Sequence, residues 1–284
     1  MADTASITPP PAPAAVWPDF KAGHPAIALF ARLPEILVAS EGYNEIWGIN
    51  LEAPKTVPAV VVPEAAATPV EPAVEANSES RPESATVPTG EGSEVVTKPE
   101  VVQPVPEAIV EQPSFGTAII LQKFLRANSN NVEKAFSQLR DTLKWRKSFF
   151  AADGEASKGW SESKFAGVGY TSVITIKEVE KVVSWNVYGV TKDIKATFGA
   201  LDEFIRWRVN LMEDSLKLLD LGNAKIPVPD YGKGRDPYQC LQVHDYQSVT
   251  FLRLPGEVKV ASKKTIEMFA RYYPETLERK YFVK

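Results

Sequence analysis

Tyr238-Gln239-Cys240-Leu241-Gln242-Val243-His244-Asp245-Tyr246 has the two-residue period of a β-strand with one unusual face. Leu241 and Val243 point to one side; Cys240, Gln242, His244 and Tyr246 point to the other. His244 is one of only two histidines in the chain, and it stands two residues from Tyr246 on the same face. A strand that turns Cys, Gln, His and Tyr to one side lines a cavity, a ligand or water. Which of these it is decides the function.

The segments around this strand supply its neighbours. Residues 172–176 and 182–187 read as strands. A long helix is expected over 197–221, because Phe198, Leu201, Ile205, Val209, Met212, Leu216 and Leu219 follow one another at three- or four-residue spacing. A loop rich in Pro, Gly and Asp (226–237) leads into the His244 strand, and 249–253 reads as continued strand. A helix over 258–272 is stopped by Pro274, and 281–283 reads as the start of another strand. The order ββαβαβ predicts an α/β fold with parallel strand pairs. The chain stops just inside the last strand, so the domain reads as incomplete at the C-terminus.

Composition divides the rest of the chain. Residues 1–16 are Pro/Ala-rich and read as a disordered tail. Residues 17–51 read as a helical N-terminal piece, with helical spacing from Ala26 to Leu33 and aromatic anchors at Tyr43 and Trp47. Pro34 is expected to end or kink that helix, or to open a second turn. Residues 52–114 hold eleven prolines, eleven glutamates and no aromatic residue. Such a stretch cannot bury enough apolar area to offset ordering entropy, so it reads as a disordered insertion within one domain. Residues 115–153 continue the helical cap: Ile119, Ile120, Leu121, Phe124 and Leu125 suit a buried helix. A second helix follows, capped by Asn131, with Val132, Phe136, Leu139, Leu143 and Phe150 on its apolar stripe. Residues 160–284 hold the sheet.

Charge is unevenly spread. Residues 52–114 carry a net −8 and residues 115–284 a net +7, within an overall −4. The basic surplus suits anionic membrane surfaces or acidic ligands, and is too small and too scattered to indicate nucleic acid. A single cysteine, Cys240, excludes an internal disulfide and suits a reducing compartment. No signal peptide and no apolar run near the roughly 20 residues of a membrane span is visible. These features predict a cytoplasmic protein. Nothing builds a catalytic triad or a structural zinc site, and Gly167-Val168-Gly169-Tyr170 lacks the Lys-Ser/Thr of a phosphate loop. The expectation is a protein that is not an enzyme.

Several motifs resemble the CRAL-TRIO lipid-binding family, in its fungal phosphatidylinositol-transfer branch. They are Leu121-Gln122-Lys123-Phe124-Leu125-Arg126-Ala127, Leu143-Lys144-Trp145-Arg146 and Trp185-Asn186-Val187-Tyr188-Gly189. Leu201-Asp202-Glu203-Phe204-Ile205-Arg206-Trp207-Arg208, Val243-His244-Asp245-Tyr246 and Tyr272-Tyr273-Pro274-Glu275-Thr276-Leu277 complete the set. The resemblance implies a mixed, largely parallel sheet with flanking helices and an N-terminal helical cap. It further implies a carrier of phosphatidylinositol, in peripheral contact with endoplasmic reticulum or microsomal membranes. Complete members continue past this point with elements that hold much of the lipid headgroup site.

Within the family the chain is most similar to the non-classical branch that also binds haem. That likeness implies haem b in the ferric state, with Tyr246 as the metal ligand and His244 in support. It assigns Tyr188, Arg208 and Lys280 to the haem-contacting set, Arg208 and Lys280 opposite the propionates. Each residue also has an ordinary use: tyrosines pack, arginines form salt bridges, and small cysteines such as Cys240 are often simply buried. The alternative is an interaction protein whose acidic insertion recruits partners and whose domain holds no ligand. His24, in a Gly-His-Pro loop, receives no role.

Overall fold

In the computed structural model, which describes residues 17–55, 110–151, 159–247 and 255–284, proline placement divides the first helical stretch. Helix α1 (Pro25–Ala31) opens on His24, whose Nδ1 accepts from the Ala26 amide at 3.1 Å. Helix α2 (Leu33–Ala39) carries Pro34 in its first turn, where no amide donor is needed. Pro34 therefore opens a second helix. Strands β1 (Glu45–Ile46) and β2 (Ile49–Asn50) pair antiparallel across Trp47 and Gly48, whose φ values of 54° and 82° make a two-residue hairpin turn. Two residues a side are too few to show alternation in sequence.

The cap continues with α3 (Phe115–Ala127) and α4 (Val132–Ala151), the latter capped by Asn131 Oδ1 accepting from the Lys134 amide at 2.9 Å. Phe136, Leu139 and Leu143 are buried as expected, whereas Phe150 is exposed, with the Arg146 guanidinium 4.9 Å from its ring centre. The ends of the Pro/Glu-rich stretch are tied in more than composition suggested. The Lys55 amide donates to Glu111 Oε1 at 2.6 Å, and Gln112 Nε2 donates to the Phe20 carbonyl at 2.9 Å. Residues 1–16 and 56–109 lie outside the described residues.

After the short α5 (Glu162–Phe165) comes a hairpin of β3 (Gly169–Ile176) and β4 (Val179–Val187), turning on Lys177 and Glu178 at positive φ. A 3-10 turn (Tyr188–Val190), α6 (Ile194–Gly199) and α7 (Leu201–Leu219) lead to β5 (Cys240–Asp245); α8 (Gly256–Tyr272) leads to β6 (Leu277–Val283). The sheet order is β3-β4-β5-β6, antiparallel for the first pair and parallel for the other two. This is the mixed α/β sheet expected from the ββαβαβ order. The helix expected over 197–221 is in fact two, broken at Ala200 (φ −84°, ψ 76°) after Gly199, a poor helix former. The last strand begins at Leu277 rather than 281. The strand proposed for 249–253 lies outside the described residues.

Buried charge clasps the cap to the sheet. Lys123 Nζ lies 2.6 Å from Asp236 Oδ2, both side chains 0% exposed, and also donates to the carbonyls of Tyr238 (2.7 Å) and Glu275 (2.9 Å). Arg146 joins Glu45 Oε2 (2.8 Å) in the β1–β2 hairpin to Glu213 Oε1 (2.6 Å) in α7. The Tyr273 hydroxyl donates to the same Glu213 oxygen at 2.5 Å. These groups fix where α8 ends and β6 starts, and so fix one wall of the site.

Candidate ligand pocket

The β5 alternation holds, but its polar face is as buried as its apolar one. Gln242 and His244 are buried beneath α7 and α8, alongside Cys240. Register sets the rows: Asn186, His244 and Phe282 stand side by side on β4, β5 and β6, next to a row of Ser184, Gln242 and Lys280. Tyr246 follows β5, and its amide donates to the Val283 carbonyl at 2.9 Å, so the ladder runs one step further. Open water is therefore not what this face lines.

Tyr188, Arg208, His244, Tyr246 and Lys280, spread over 93 positions of sequence from Tyr188 to Lys280 inclusive, all line one cavity of about 100 Å³. The Tyr188 ring lies 5.5 Å from that of Tyr246 and 5.8 Å from that of His244. Phe282 stacks at 6.2 Å on Tyr246. Phe204, Ser262, Thr265, Ile266 and Phe269 complete the wall with Gln242. A neighbouring cavity of about 760 Å³ shares Gln242, Ile266, Phe269 and Lys280. The small cavity alone falls below the roughly 300–1,000 Å³ usual for ligand sites; the neighbour is within that range.

Arg208 governs the electrostatics. It is 2% exposed, and among the described residues no carboxylate lies within 4 Å of it. Its Nη1 donates to Asn186 Oδ1 in a short hydrogen bond, and its Nε has no partner. Asn186 is held in turn by donating from Nδ2 to the Val243 carbonyl at 3.2 Å. Burial pushes the Tyr188 and Tyr246 phenols above their ordinary value, and the Arg208 charge pulls both back. Burial, followed by Arg208 and Lys280, drives the His244 imidazole down to about 3. It is a neutral ring at physiological pH, with Nε2 3.4 Å from Gln242 Oε1 and Nδ1 unpartnered. Burial and then Arg208 lower Lys280 as well.

Cys240 and His24 take structural places. Cys240 is buried on the same strand face but is not among the residues that line this cavity: its Sγ donates to the Thr276 carbonyl at 3.1 Å, and burial raises its thiol to about 11. His24 has a structural role, capping α1 and bonding Asp230 Oδ1 through Nε2 at 3.0 Å. Asn186 and Gly189 carry no separate sequence signal, although both lie in the Trp-Asn-Val-Tyr-Gly motif. A Cβ on Gly189 would fall 2.2 Å from the Gln247 carbonyl oxygen, so glycine lets the Tyr188 turn approach the end of the Tyr246 strand.

Among known proteins, phosphatidylinositol transfer protein SFH5 of Cryptococcus neoformans var. neoformans is 38% identical over 282 residues. The match spans 98% of this chain and 75% of that protein. The chain belongs to the SFH5 family of phosphatidylinositol transfer proteins. The SFH5 protein of Phaeosphaeria nodorum is 51% identical over 179 residues, 62% of this chain and 54% of its own. The chain thus spans about half to three quarters of these relatives' lengths. No protein-family model matches. The crystal structure of Sfh5 shares the fold at 22% identity with a TM-score of 0.59, over 91% of this chain and 68% of that one. Among the described residues no helix is long and apolar enough to cross a membrane.

Proposed function

We propose that the chain is a non-enzymatic carrier, with ferric haem held in the Tyr246 pocket and phosphatidylinositol as lipid cargo. The observation that carries the haem reading is Arg208, a buried cation with no carboxylate partner among the described residues, set beside two phenols. Burying a cation without a counter-charge is costly, so the pocket favours a ligand that brings negative charge to it. Ferric haem would supply a Lewis acid for a phenolate and carboxylates for Arg208 and Lys280.

The residues present fit that group. Tyr246 is the oxygen donor, and Arg208 favours its ionised form. Neutral His244 can orient a neighbour through a hydrogen bond without adding a second positive charge. The unpartnered Arg208 Nε and His244 Nδ1 are buried polar atoms that a ligand can satisfy. Uptake requires the rings of Tyr188, Tyr246 and Phe282 to separate; Phe282 is 69% exposed and has room to swing outward.

The lipid half of the proposal is supported by the named function of relatives 38–51% identical to this chain. Exchange would occur by peripheral contact at the cytoplasmic face of endoplasmic reticulum or microsomal membranes. Two assays test the two halves separately. Titrating ferric haem into the purified protein should give saturable uptake at one equivalent, and no spectral change would overturn the haem half. Moving labelled phosphatidylinositol between vesicles above the spontaneous rate supports the lipid half, and no acceleration would overturn it.

A further inference from the structure

Helix α8 buries Ala261, Thr265 and Met268 and turns its opposite arc outward. That arc carries Lys259, Val260, Lys263, Lys264 and Ile266, with Val260 55% and Ile266 61% exposed. Helix α6 packs alongside, with Gly199 facing Glu257; it adds exposed Ile194 and Lys195, and the bend before it adds exposed Lys192. Asp193, Glu257 and Glu267 are the acids of α8, α6 and the bend before α6. Asp193 is engaged in capping the Ala196 amide at 2.8 Å, and Glu267 lies 3.8 Å from Lys263. Five lysines therefore outnumber the acids here, on a chain whose overall charge is −4.

We propose that this α8–α6 face docks on an anionic phospholipid membrane. Lysines interleaved with exposed aliphatic side chains match such a surface, since the cations meet headgroup phosphates while Val260, Ile266 and Ile194 enter the headgroup boundary. An acidic peptide would use the lysines but leave the aliphatic residues in water. The face also adjoins the pocket: Ser262 and Thr265 line the smaller cavity and Ile266 lines both. A docked membrane thus touches one wall of the pocket. This purpose rests on the carrier reading; the docking itself does not.

Vesicle co-sedimentation of the full chain tests it. Wild type should sediment with phosphatidylcholine vesicles containing about a third phosphatidylserine, more weakly as salt rises, and not with phosphatidylcholine alone. The Lys259→Glu/Lys263→Glu/Lys264→Glu variant should bind at least about 100-fold more weakly, at about fivefold per lysine neutralised. Val260→Ser should weaken binding several-fold at unchanged charge. None of these four residues lines the pocket, so haem titration and the thermal midpoint should stay as in wild type. Wild type that ignores phosphatidylserine, or a triple variant that binds like wild type, overturns the proposal. Loss of haem uptake in wild type with vesicle binding intact would instead overturn the carrier reading alone.

Discussion

The rings of Tyr188 and Tyr246 stand 5.5 Å apart, tilted by 44°, and both phenols feel the same buried Arg208 cation. Arg208→Met removes the charge that favours the phenolate. Haem affinity at neutral pH should fall about tenfold or more, the scale of losing one charge-assisted contact of about 1.5–3 kcal/mol. Stability to urea should hold or rise, by up to about 2 kcal/mol, because an uncompensated buried charge is gone. Affinity within twofold of wild type would show that the cation does not act on the pocket oxygen.

Asn186 is a positioning residue for that cation. Asn186→Ala should cost about 2–3 kcal/mol in denaturant unfolding, because it leaves part of a buried guanidinium without an acceptor. Asn186→Asp should recover much of that stability while neutralising the field on the phenols, so haem binding should weaken. A merely structural asparagine would give stability and affinity that move together in both variants.

The pH dependence follows from His244. Its folded value, about 3, lies below its ordinary 6.5, so the unfolded chain takes up a proton first as pH falls. The resulting stability is fully present above about pH 6.5 and is lost progressively toward pH 3, at up to about 1.4 kcal/mol per pH unit. Urea midpoints at about pH 7 and pH 5 should therefore draw together in His244→Gln relative to wild type. An equal fall in both proteins would place the acid sensitivity elsewhere.

Lys123 and Asp236 supply a double-mutant test of the clasp between cap and sheet. Lys123→Met should cost about 3–5 kcal/mol by leaving Asp236 buried and unpaired, and adding Asp236→Leu should restore part of that loss. Strictly additive losses on denaturation would mean the two residues do not act as a pair.

How much of this could be read in sequence differs by level. The strand order, the parallel pairs and the α7 stripe were legible because period-two and helical spacing are local signals. The gathering of Tyr188, Arg208, His244, Tyr246 and Lys280 was legible only through family resemblance, since no local pattern links a 3-10 turn, a helix and two strands. Cys240 shares the opening strand's buried polar face yet bonds the Thr276 carbonyl and is not among the cavity's lining residues, an ordinary use of a small buried cysteine that spacing alone does not distinguish. Asn186 and Lys123 were not legible: a polar residue inside a strand or an amphipathic helix reads as a surface residue until its partner is placed. The break at Ala200 was hidden because the apolar spacing continues across it.

The most direct test is the visible absorption spectrum of freshly purified protein and of protein offered ferric haem, each beside Tyr246→Phe. Substituting one phenol oxygen should leave the fold intact, as judged by an unchanged unfolding midpoint. A strong Soret band with high-spin ferric features in wild type, lost in Tyr246→Phe, is the expected result. No band in folded wild type supplied with haem, or the same band in both proteins, would contradict a haem carrier ligated through Tyr246.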